Sequence, residues 1–228
     1  MKRRFSFGWV AAIIIIAVIL LDQIVKIWVK THFYYGEQYQ ITSWFSLVFI
    51  ENNGMAFGWE MGSKMLLTWF RIIAVLAFGY YLFKIRHRDD LPMGYVVFVA
   101  MITAGAAGNV IDCIAYGQIF NSPAPPQLAQ MFPPDGGYAP LFNGRVVDML
   151  YFPLCEWNWP DWMPAVGGDH FVFFQPIFNI ADAALTTGVL AIILFYSRHL
   201  TAKEETTDES EDSDPSSDTA RDNFQEQE

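Results

Sequence analysis

Four apolar stretches, each about as long as a bilayer is thick, constrain this chain more than any other feature. A spanning helix needs about 20 mostly apolar residues, and residues 7–29, 65–85, 94–116 and 176–197 each reach that length. With 53% of its 228 residues hydrophobic and 17% aromatic, the chain is more apolar than an ordinary soluble domain. The fold class predicted is an all-α membrane protein with four transmembrane helices. The first stretch, "FGWVAAIIIIAVILLDQIVKIWV", follows "MKRR" and begins like a signal peptide. No small-residue cleavage site follows it and the apolar pattern resumes after Asp22, so it reads as an uncleaved span.

Orientation follows from the basic residues, because basic loops stay cytoplasmic. Lys2, Arg3 and Arg4 precede the first stretch, Lys84, Arg86 and Arg88 lie between the second and third, and Arg198 and Lys203 follow the fourth. The opposite side has only Lys30, Lys64 and Arg145 outside the spans, so both termini are predicted to be cytoplasmic. One outer segment, an expected β region at about 32–62, holds "WFSLVFIENNGMAFGW". There two β-prone runs flank Asn53-Gly54, a tight-hairpin signal, which predicts a small sheet with its tryptophans in the interface belt. The other, residues 117–175, is rich in Pro, Gly and aromatics and reads as irregular structure lying on the bilayer, with an insertion at about 117–145. These elements make one transmembrane domain, 1–202, followed by an acidic tail, 203–228.

The tail carries eleven acids against Lys203 and Arg221, nine of the ten net negative charges. Such a segment cannot bury enough apolar surface to order itself, so the net charge says little about partners. The basic residues form no nucleic-acid surface. Cys113 and Cys155 make neither a disulfide framework nor a metal motif.

Polar residues inside the apolar stretches carry the chemistry. Asp22 and Lys26 stand one helical turn apart and can pair. Gly105 and Gly108 form a small-residue surface for close helix approach, with Asn109 and Asp112 just beyond. Asn179 and Asp182 repeat that i, i+3 spacing, with Thr186 a turn further on. Each alone is explained by packing or by interhelical hydrogen bonds. Given the orientation above, however, Asp22, Asp112 and Asp182 all fall toward the outer half, and Asp148 in "NGRVVDMLYF" is a further candidate near that level. Two carboxylates close together in a low dielectric cannot both ionise easily, so an acid and a base coexist near neutral pH. That pair can activate water and protonate a leaving amine.

Other hydrolytic designs lack their signatures. There is no H-E-x-x-H, His32, His87, His170 and His199 have no ligand spacing, and no G-x-S-x-G or P-loop occurs. Neither metal nor cofactor is expected. The residues themselves still leave open a small transporter or channel relaying protons or cations through the carboxylates, or a structural membrane subunit.

Together the motifs "DQIVK" (22–26), "ENNGMAFG" (51–58), "GAAGNVID" (105–112), "VVDM" (146–149) and "FNIAD" (178–182) resemble lipoprotein signal peptidase, the bacterial signal peptidase II. The resemblance implies an intramembrane aspartyl endopeptidase that removes the signal peptide of a diacylglyceryl-modified prolipoprotein just before the lipidated cysteine. It implies a catalytic dyad of Asp148 and Asp182, with Asp22, Lys26, Asn52, Gly54, Asn109, Asp112 and Asn179 shaping and supporting the site. It also implies a monomer in the bacterial inner membrane, acting at the outer leaflet on a substrate held by lipid. Two departures stand out. Cys113 occupies a position where the family usually has Arg, and Arg145 is the expected replacement for that charge. The insertion between Asp112 and Asp148 is absent from the compact family pattern, and neither it nor the tail is expected to carry the chemistry.

Overall fold

The computed structural model describes residues 7–53, 64–88 and 90–198. Helix α1, Phe7–His32, reverses the usual arrangement of a helix in water. It exposes Ile13, Ile16, Leu20, Leu21 and Ile24 while burying Asp22, Lys26 and Lys30. Apolar side chains turned outward and charges turned inward are what a lipid solvent selects. Helix α2, Lys64–Ile85, buries only Thr68, Leu82 and Ile85. The central helix α3, Met93–Ile111, continues through a wide π turn at Asp112–Tyr116 and a last short helix α4, Gly117–Ile119. Helix α5 runs from Ile180 to Tyr196.

The residues 7–32, 64–85 and 93–119 are each helical, long and apolar enough to cross a membrane by length and composition. Helix α5 is apolar but has 17 residues, about 25 Å at 1.5 Å per residue, less than the roughly 30 Å hydrocarbon core. The fourth stretch was expected to turn helical from residue 176, and it does so later. Ile177–Phe178 instead forms strand β6, and Asn179 in an extended conformation caps the helix. The architecture is that of a membrane protein with several apolar helices and a small antiparallel sheet.

Small residues bring α3 and α5 together. A Cβ on Gly105 would collide with the Ala181 carbonyl and stand 2.9 Å from the Leu185 Cβ. On the other helix, a Cβ on Gly188 would lie 2.7 Å from Ile102 Cγ1 and 2.8 Å from the Phe98 carbonyl. Backbones at this spacing let side chains from both helices share one polar site. Toward the other end Leu91, Tyr95, Val96, Val99 and Ile192 form an apolar core with Leu82 and Ile85.

The sheet has the order β1-β2-β3-β6, with β1 Gln38–Thr42, β2 Phe45–Asn52 and β3 Val146–Tyr151. Every pairing is antiparallel, and Ile50 lies opposite Asp148. The reversal joining β1 to β2 lies between Thr42 and Phe45. Strand β2 ends at Asn52, while Gly54 and the β-prone run after it lie outside the described residues, as does the acidic tail. One correction to the sequence reading follows: β3 comes from the segment expected to be irregular. That segment also builds an aromatic hairpin from β4, Cys155–Asn158, and β5, His170–Phe173, in which Trp157 and Trp159 pack on Phe171.

Residues 120–145 contain no helix or regular strand, yet they are fastened where they leave and return. Tyr138 N donates to Phe120 O, Ala139 N to Gly117 O, Phe142 N to Ile114 O and Gly144 N to Cys113 O. The π turn explains the last two, because its altered pairing leaves helix carbonyls free for the returning chain.

Candidate active site

The site begins with a buried cation. Lys26 on α1 places its ammonium 2.8 Å from Asp22 Oδ2, 2.7 Å from Asp112 Oδ2 and 2.8 Å from Asn109 Oδ1. All four side chains are buried. An ammonium taken out of water is tolerated only with compensating charge and filled hydrogen-bond directions, and here its three N–H groups meet three oxygens. Lys26 thus occupies the place a metal ion would take among carboxylates. Each carboxylate also grips backbone: Asp22 Oδ1 accepts from Ala181 N at 2.9 Å, and Asp112 Oδ2 accepts from Val147 N at 3.3 Å. The cluster therefore ties α1 and α3 to the start of α5 and to strand β3.

From Asn109 the network passes outward to two further carboxylates. Asn109 Nδ2 donates to Asp182 Oδ1 at 2.7 Å while its oxygen accepts from Asn179 Nδ2 at 3.1 Å. Asn179 Nδ2 also donates to Asp148 Oδ1 at 2.7 Å and to the Val147 carbonyl at 3.3 Å. The Asn179 oxygen accepts from Asp182 N at 2.8 Å, and Asp182 Oδ2 accepts in return from Asn179 N at 3.4 Å. This is a capping box. The shared face expected of Asn179 and Asp182 on a helix is thus a cap-and-first-turn pair instead, which turns the Asn179 amide toward Asp148. Asn52 on β2 hydrogen-bonds Asp148 from the neighbouring strand.

The two carboxylates sit in different surroundings. Asp148 is buried whereas Asp182 is only partly so. Burial raises the Asp148 carboxyl to about 7, the nearby Asp182 charge adds to the rise, and hydrogen bonds from Asn179 and Asn52 and the charge of Lys26 oppose it. A carboxylic acid that holds its proton near neutrality, facing a second carboxylate, is an arrangement for acid and base work.

The structure brings Asp22, Lys26, Asn109, Asp112, Asp148, Asn179 and Asp182 into one network. Asn52 joins it through Asp148, and Gly54 lies outside the described residues. Arg145 lies elsewhere. Its Nη1 donates to Glu51 Oε2 at 2.8 Å and to Ser122 Oγ at 3.1 Å, and its guanidinium lies over the Tyr138 ring. Glu51 also pairs with Lys30, whose ammonium is caged by the rings of Phe49, Phe120 and Tyr138. Arg145 therefore fastens the insertion to β2. The guanidinium beside Cys113 is that of Arg71 on α2, with Nη1 3.1 Å from Sγ.

Sequence reasoning passed over Gln23, Arg71 and Glu51. Gln23 Nε2 reaches Asp112 Oδ1 at 2.9 Å and the Gly108 carbonyl at 3.2 Å, and its Oε1 accepts from Tyr116 at 3.1 Å. The signal for Arg71 was present, since an arginine inside an apolar stretch calls for a partner.

Comparison with known proteins identifies the family. The family described as signal peptidase (SPase) II matches residues 14–198. A lipoprotein signal peptidase of Porphyromonas gingivalis is 43% identical over 216 residues, covering 91% of this chain and 95% of its own. One from Amoebophilus asiaticus is 35% identical over 199 residues, covering 85% of this chain and 78% of its own. In fold, the chain resembles a bacterial membrane enzyme solved by the in meso method at 2.3 Å resolution. The TM-score is 0.54 at 24% identity, over 86% of this chain and 92% of that one.

Proposed function

The chain belongs to the signal peptidase II family, and from that premise we propose that it removes the signal peptide of lipid-modified prolipoproteins with Asp148 and Asp182 as the catalytic pair. The observation that carries this assignment is the double bridge between the two carboxylates. Asn179 holds Asp148 through its amide nitrogen and the Asp182 backbone through its oxygen, while Asn109 holds the Asp182 carboxylate.

The asymmetry of the pair supports a division of roles. Both oxygens of Asp182 accept from N–H groups, which suits a carboxylate. Asp182 takes a proton from water as the water oxygen attacks the scissile carbonyl carbon. Asp148, protonated because its carboxyl sits near 7, gives its proton to the carbonyl oxygen. The resulting gem-diol collapses when Asp182 passes its proton to the leaving amine nitrogen, the C–N bond breaks and one hydroxyl proton returns to Asp148. Every proton is conserved, no metal enters, and the pair returns to its starting state.

Depth completes the reading. With both termini on the cytoplasmic face and α5 as a fourth span, the dyad stands at the outer leaflet of the inner membrane. There a diacylglyceryl anchor would hold the cleavage site just before the modified cysteine within reach. The protein acts as a monomer. The aromatic hairpin and its connection, with Trp157 and Trp162 exposed, suit the membrane interface, where Trp side chains are enriched. The test is cleavage of a purified diacylglyceryl-modified prolipoprotein by detergent-solubilised protein. Asp148→Asn and Asp182→Asn should each abolish the shortened product while the thermal transition persists, and full activity in either would refute the pair.

A further inference from the structure

Helix α2 presents a polar stripe to the site that catalysis as derived above does not use. Lys64, Thr68 and Arg71 are spaced by four and three residues and so share one helical face. Lys64 Nζ donates to Asn53 Oδ1 at 3.3 Å, Thr68 Oγ1 to the Phe142 carbonyl at 3.1 Å, and Arg71 Nη1 to Cys113 Sγ at 3.1 Å. Both ends of the stripe touch neighbours of the dyad's own supports. Asn53 follows Asn52, which bonds Asp148, and Cys113 follows Asp112, which holds the backbone next to Asp148.

Arg71 is the unusual member. It lies within an apolar helix and is partly buried, and among the described residues no carboxylate pairs with it. Its one side-chain partner there is a thiol, a weak acceptor, so most of a five-donor fork finds no acceptor side chain among the described residues. A guanidinium in a spanning segment is costly unless it meets acceptor oxygens, and its planar fork suits paired oxygens better than a point charge does.

We propose that Arg71 binds carbonyl oxygens of the lipid-modified segment of the substrate, the ester and peptide carbonyls around the diacylglyceryl cysteine. This rests on the peptidase reading above. Cys113, next to the Asp112 that holds the Val147 backbone, keeps one arm of the fork on the site's side of α2, and binding would give the guanidinium acceptor oxygens that it lacks among the described residues. Phosphate from a bilayer lipid has related acceptor chemistry, and the experiment separates the two sources.

The test is direct binding of a fluorescent diacylglyceryl-cysteinyl peptide to full-length protein carrying Asp148→Asn, in detergent free of phospholipid. Arg71→Leu in that background is expected to weaken binding about tenfold, as loss of a charged hydrogen-bonding group does. Arg71→Lys should recover part of the loss, and Arg71→Leu with Cys113→Arg, which returns the fork from the adjacent helix, should recover most of it. Unchanged affinity in Arg71→Leu overturns the assignment, as does a loss that appears only when phospholipid vesicles are added. Equal losses in the double variant and in Arg71→Leu, with both keeping the wild-type thermal midpoint, overturn it as well. Failure of the wild-type protein to cleave prolipoprotein would instead refute the peptidase reading, which this binding measurement does not depend on.

Discussion

Asp148 is the residue on which pH should act. Its folded carboxyl titrates at about 7 against an ordinary value near 4. Between those values the folded protein holds a proton that the unfolded chain has lost, so stability falls as pH rises through that window. Asp148→Asn cannot ionise, and its thermal midpoint should exceed that of the wild type by more at pH 8 than at pH 5. The proposed mechanism uses the same proton, so kcat/KM is expected to decline as pH climbs through about 7, measured as a cleavage profile over pH 5–9. The asparagines make a separate prediction. Asn109→Ala removes the 2.7 Å donor to Asp182, and a hydrogen bond to a charged group contributes roughly 1.5–3 kcal/mol. Single-turnover cleavage should therefore slow about 10- to 100-fold. Sequence motifs named nearly all of these residues, because a carboxylate or amide in an apolar run advertises itself. They could not distinguish Asn179 on a helix face from Asn179 as a cap, since that depends on Ile177–Phe178 pairing with β3, a contact across some 27 residues of intervening chain.

Among the elements, α3 and α5 set the precision of the site. Gly105 lets the α5 backbone pass against α3, and Gly105→Val would press its side chain into the Ala181 carbonyl and Leu185. Overpacking of this kind costs about 1–3 kcal/mol. We expect a lowered thermal midpoint in detergent and a larger proportional loss of activity, since the Asn109–Asp182 bond spans the same contact. Helix positions were legible because apolar runs mark them directly. The strands were less so, for a physical reason: β3 is buried and short, "VVDMLY", without the alternation that identifies a half-exposed strand. The reversal at Ser43-Trp44, which pairs Thr42 with Phe45, has no Gly or Asn to mark it, and the hairpin expected at Asn53-Gly54 runs into residues outside the described ones. Arg145 illustrates the same limit. Proximity in sequence to Asp148 suggested a role there, while the strand register carries its side chain to Glu51 instead.

On the scale of the whole molecule, the protein divides into a polar network enclosed by apolar helices and attachments around it. Truncation after residue 202 removes the acidic tail and should leave cleavage in detergent unchanged, read as kcat/KM on the same substrate. The insertion is attached differently. It leaves α4 at Ile119 and comes back onto the same helix end through Tyr138, Ala139, Phe142 and Gly144 before entering β3. The excursion is thus a closed loop whose two feet stand side by side. These bonds fix where the chain resumes toward Asp148. The exposed turn at residues 124–128 accordingly offers a grafting port, where a spliced epitope would be carried as cargo.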